Sequence, residues 1–92
     1  MLEFTDGTSI SYEDAAQLME KEGELILGWY NLGGERCALG VLYNTTNRHH
    51  HKRRLSSYGL AIEIATVNNN FEGAPAQRCE YMARWFREQA VS

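Results

Sequence analysis

Four of the nine Lys and Arg residues and all three histidines fall within eight positions, Asn47-Arg-His-His-His-Lys-Arg-Arg54. Side chains of these types can attract phosphates, hold a metal ion, or titrate near neutral pH. For phosphates, Arg48, Lys52, Arg53 and Arg54 bring positive potential, and each phosphate they neutralise releases counterions. Against that stand a pI near 5.5 and the absence of aromatic residues within 47–54 on which bases would stack. For a metal, three consecutive histidines diverge on a regular strand or helix, and no Cys or carboxylate lies beside them to complete a tetrahedral set, so no metal site is expected. As a proton switch the run would titrate together near about pH 6, weakened by its own cations, with no visible two-state element to drive. Three readings of the segment stay open: a solvated loop, which is favoured, an arm for nucleic acid or another polyanion, and a patch that docks on an acidic protein face.

The other reactive side chains are fewer. Cys37 and Cys79 are far apart and lack CxxC spacing, which argues for reduced, buried thiols over a disulfide scaffold or a zinc knuckle. Cys37 follows Gly33-Gly-Glu-Arg36, where a helix start and the Arg36 cation would lower a thiol pKa as a nucleophile requires. Its general base would have to come from the three histidines of the basic segment, so a core cysteine is the favoured reading and no catalytic residue or cofactor is expected. Glu13 with Asp14 and Glu20 with Glu22 read as the solvated acidic face of one helix. Trp29-Tyr30 and Trp85-Phe86 carry the large aromatic areas; Trp29 is expected to plug the core against the last helix, and an exposed Trp29, Tyr30 or Trp85 would instead anchor an interface.

These residues must be positioned by one domain spanning 1–92, because two pieces of 46 residues would each bury too little surface. A hydrophobic content of 43% with 23% charged residues lies well away from the composition of disordered chains. At this size a homodimer or a bound partner would add useful stability. No signal peptide and no membrane span is visible, which points to the cytoplasm. The net charge of −3 conceals a polarity: residues 1–35 carry eight acids against Lys21 alone, and 36–92 carry eight bases against four acids. Mutual attraction of the two halves on folding is the favoured explanation, ahead of an acidic face aimed at a basic partner.

Local signals place the elements. Met1–Phe4 and Ser9–Ser11 read as short strands joined through Asp6-Gly7. Ser11 is an N-cap, Ile10 can staple onto Ala15, and Tyr12, Ala15, Ala16 and Met19 recur at helical spacing up to Gly23, predicting a helix over 12–22. Residues 24–30 are short and apolar and read as extended; 35–43 reads as a short helix, with a hairpin as the alternative. For 57–67 periodicity does not decide: Leu60, Ile62 and Ile64 suit a strand, and Tyr58, Ala61, Ile62 and Ala65 suit a helix. Asn68-Asn-Asn70 closes that element. Pro75 opens a last helix to about residue 90, with Ala76, Cys79, Met82, Ala83, Phe86 and Ala90 inside and Arg78, Arg84, Arg87 and Glu88 outside. The expected fold is α+β, mainly helical, with a short N-terminal β-hairpin and a packed C-terminal helix.

The order of these features, with the helix Glu13–Gly23, the segment Arg36-Cys-Ala-Leu-Gly-Val-Leu42 and Val67-Asn-Asn-Asn-Phe-Glu-Gly-Ala-Pro-Ala-Gln-Arg78, resembles a family of small uncharacterised bacterial and phage proteins. That family carries a Cys-Ala-Leu-Gly-Ala-Leu segment and a Trp-Asn-Asp segment before the last helix; this chain has Val67 where the family has Trp, and Asn in place of Asp. The resemblance implies a largely helical fold and no activity to carry over. It also implies a phage- or mobile-element-type accessory role, exerted by binding and blocking a host protein, including a defence protein, in the host cytoplasm. The alternative is nucleic-acid or nucleotide binding through 48–54.

Overall fold

Capping residues and glycines set the ends of most elements. The computed structural model describes residues 1–28, 34–44 and 53–91. Strands β1 (Leu2–Glu3) and β2 (Ser9–Ile10) pair antiparallel with Leu2 opposite Ile10. Helices α1 (Tyr12–Glu22), α2 (Ala38–Leu42), α3 (Tyr58–Asn70) and α4 (Pro75–Val91) follow. The α+β, mainly helical expectation is met.

Gly7 closes the hairpin. Its N–H donates to the Phe4 carbonyl, Phe4 donates to the Thr8 carbonyl, and Gly7 takes φ of +88°, the left-handed step that turns a type I turn into a bulged hairpin loop. Residues 54–56 run beside β1: Thr5 N–H donates to the Arg54 carbonyl, Ser56 N–H to that of Glu3, and Phe4 forms a bridge with Leu55. The hairpin thereby anchors the chain on the far side of the basic segment.

Helix α1 starts where Ser11 Oγ accepts the Asp14 N–H at 2.9 Å and stops at Gly23, whose N–H donates to the Met19 carbonyl. Its inner face, Ala15, Ala16 and Met19, is fully buried and meets α4 along Cys79, Met82, Ala83 and Phe86. That seam is the centre of the core. Ala76 and Ala90, expected inside, are exposed, and Arg78, expected outside, is 5% exposed. Alanines are too small to fix the rotation of a helix; Met82 and Phe86 fix it, and Arg78 stands one turn before Met82 on the same face.

The undecided element is a helix, α3, capped by Ser57 Oγ on the Leu60 N–H at 3.2 Å. Its inward set is Ala61, Ile64 and Asn68, so Tyr58 and Ile62, both in the helical set read from the sequence, face outward. The three asparagines are its last turn. In the 71–74 connection to α4, Gly73 lies against the Phe71 ring, which would have to shift to admit a Cβ, since one there would come within 2.5 Å of it. Residues 23–28 continue irregularly from α1 without forming a strand, and α2 is short but buried at every position. The radius of gyration, 11.9 Å, is close to the roughly 12 Å expected of one domain of this length.

Candidate functional site

Of the basic segment, Arg53 and Arg54 are described; Arg48, Lys52 and the three histidines lie outside the described residues, as do Trp29 and Tyr30. Arg53 is held by the fold. Its Nε donates to the Leu42 carbonyl at 2.8 Å, Nη1 reaches the Thr8 hydroxyl at 3.3 Å, and the guanidinium sits 3.8 Å from the centroid of the Phe4 ring. Arg53 thus links the end of α2 to the hairpin. Arg54 is exposed and, among the described residues, joins the hairpin through its backbone alone.

Arg53 also lines a groove of about 490 Å³ between the hairpin turn, α1 and α2. Leu18 and Val41 provide apolar lining, and Lys21, Glu22, Arg36, Asp6 and Asn44 the polar part. Glu22 and Arg36 form a two-point ion pair, 2.6 and 2.9 Å, which raises the Arg36 pKa. Asp6 accepts from the Thr8 hydroxyl at 2.6 Å and its N–H at 3.0 Å, and these bonds hold its carboxyl below the usual range.

The acids read as a solvated face are in large part engaged. Arg87 donates to both Glu13 and Glu20, at 2.8 to 3.2 Å, joining α4 to α1. With Glu22–Arg36, every ion pair among the described residues therefore links the acidic N-terminal part to a base from position 36 onward. The polarity of the sequence is internal attraction in this respect.

Cys37 does not have the lowered pKa a nucleophile requires. It is 7% exposed, burial pushes its thiol up, and it occupies the N-cap of α2 without capping with its own side chain. Burial likewise pushes up Cys79, whose thiol donates to the Met19 carbonyl. Both are core cysteines.

The first amide of α2 is satisfied from across the core. Asn68, 1% exposed, accepts the Ala38 N–H at 3.2 Å and donates to the Ile26 carbonyl at 3.0 Å. Arg78 then donates to the carbonyls of Asn68, Leu25 and Phe71 at 2.9 to 3.0 Å. Asn69 accepts the Gly28 N–H. Sequence reasoning missed this knot, having read the asparagines as a turn and Arg78 as a surface charge.

Two large apolar side chains of α3, Tyr58 at 78% and Ile62 at 50% exposure, stand one turn apart on its outer side. A helix whose 13 residues include a single charge, Glu63, is composed for burial on more than one side. That composition was the available signal for the outward apolar pair. Among the described residues no helix is long and apolar enough to cross a membrane, and no three His, Cys, Asp or Glu side chains come together to hold a metal. No protein-family model, curated protein or solved structure matches this chain.

Proposed function

We propose that this chain is a small phage- or mobile-element-type accessory protein that acts in the host cytoplasm by binding and occluding a host protein, a defence protein being the leading class of target. The observation that carries the reading is the outward pair Tyr58 and Ile62 on the nearly uncharged α3. A large aromatic with a polar tip beside an aliphatic side chain is the composition of an interface anchor, and its burial against a partner would supply most of the binding energy. The resemblance around Cys37–Leu42 and before α4 supports the phage-type context.

The test is retention from bacterial lysate with and without nuclease, repeated with Tyr58→Ser/Ile62→Ser. A stoichiometric protein that survives nuclease and is lost with the double variant is the expected outcome. Retention that disappears with nuclease would replace this reading with polyanion binding through 48–54; retention indifferent to the double variant would remove α3 as the docking face.

A further inference from the structure

The groove beside Arg53 holds two cations that no carboxylate among the described residues contacts directly. Among the described residues three bases and two acids line it: Glu22 pairs with Arg36, and Asp6, held by Thr8, acts on Arg53 through space without touching it. Lys21 and Arg53 remain: among the described residues neither has a carboxylate within ion-pair distance. The lining among the described residues therefore sums to +1 in a chain of net charge −3. Arg53 is preorganised, since the Leu42 carbonyl, the Thr8 hydroxyl and the Phe4 ring fix its guanidinium while Nη2 keeps no hydrogen-bond partner among the described residues. A fixed guanidinium loses little freedom when an acid group arrives.

Beside these cations lie the side chains of Leu18 and Val41, and Asn44, which ends α2 at φ of +53° and brings an amide with both donor and acceptor. Two apolar side chains stand beside six polar or charged ones, so the groove is suited to a ligand recognised chiefly by its charge, with a small apolar contact. We propose that the groove binds a small organic anion, a carboxylate or phosphate monoester on a ring-sized apolar body, with its acid group toward Lys21 and Arg53 and its body against Leu18 and Val41. The inference does not rest on the docking role of α3, and its test does not involve that face.

Isotope-labelled protein titrated with phenyl phosphate, with benzoate, and with benzyl alcohol as the uncharged counterpart reads it directly by NMR at low ionic strength, where screening is weak. The expected result is saturable shifts of the Leu18 and Val41 methyls with at least one acid and none with the alcohol; the two acid arms tell phosphate from carboxylate. Lys21→Glu, at an exposed position without an ion-pair partner among the described residues, should weaken binding about tenfold or more while leaving the remaining spectrum in place. Lys21→Gln should give an intermediate loss and serves if the charge reversal disturbs folding. No saturable shift by about 10 mM of either acid overturns the proposal, as do equal shifts with the alcohol or unchanged affinity in both Lys21 variants.

Discussion

Helix α4 is held on its two flanks by opposite means. Toward α1 it presents Cys79, Met82, Ala83 and Phe86, which meet Ala15, Ala16 and Met19 in an almost wholly apolar seam. Toward the 24–28 segment and the end of α3 it presents Arg78, which donates to three backbone carbonyls, beside a Phe71–Tyr81 ring stack and the bond from the Leu25 N–H to the Pro75 carbonyl. An apolar seam has many near-equivalent solutions, because any set of side chains of the right volume fills it. The polar knot has one. Three irregular pieces (the 25–28 segment, the α2 start and the α3 end) have their backbone groups satisfied by two side chains, Asn68 and Arg78, with Asn69 adding one bond.

The contrast is broken most severely at Arg78. Arg78→Met keeps the apolar stem and removes the donors, orphaning the buried carbonyls of Leu25 and Asn68 and the half-buried one of Phe71. Charge-assisted bonds and the desolvation of their acceptors together set an expected loss of about 3–5 kcal/mol in urea denaturation. Arg78→Lys should recover less than half, since one ammonium cannot span three carbonyls that a guanidinium fork reaches. A loss under about 1 kcal/mol for Arg78→Met would mean that water satisfies these carbonyls, and the knot would not be a unit.

Asn68→Ala comes next, with an expected loss of about 2–3 kcal/mol, because it strips the cap of α2 and the partner of the Ile26 carbonyl at once. Combined with Arg78→Met, its cost should fall well short of additive, since both variants release the same segment. Full additivity would separate the two residues. On the other flank Met82→Leu, at a fully buried position, should cost about 1 kcal/mol or less by the same measurement. A larger loss there would place the seam in the same intolerant class as the knot.

The same division explains what could be read from the sequence. Ser11, Gly23, the Asp6-Gly7 turn and Pro75 act on neighbours within four residues, and both ends of α1 and the start of α4 follow from them. The helical state of α3 was undecidable because its apolar residues fit both periods, and its rotation was set by α2 and α4, which local pattern does not see. Arg78 was misplaced because its acceptors are backbone carbonyls at 25, 68 and 71, groups every residue carries and none advertises. Arg53 was legible as a cation near phosphates but not as a strut, since Phe4, Thr8 and Leu42 are distant in sequence. The outward pair Tyr58 and Ile62 was hidden by the assumption that apolar residues on one helix share one inner face.

The smallest effect belongs to the exposed rim of the apolar seam, and pH reads it. Hydrogen bonds from Arg87 hold the Glu13 and Glu20 carboxyls below the usual value of 4.5 and raise Arg87 above its own. A carboxyl depressed in the folded state adds stability that is fully present above its unfolded pKa and is lost as pH falls through the folded one. The difference in urea midpoint between the wild type and Arg87→Gln should therefore be constant at neutral pH and shrink on acidification below about pH 4.5. It should also shrink with added salt, because the pairs are solvent-exposed. A difference that survives both acid and salt would show that Arg87 acts through the packing of its stem, and the rim would then belong with the seam it borders.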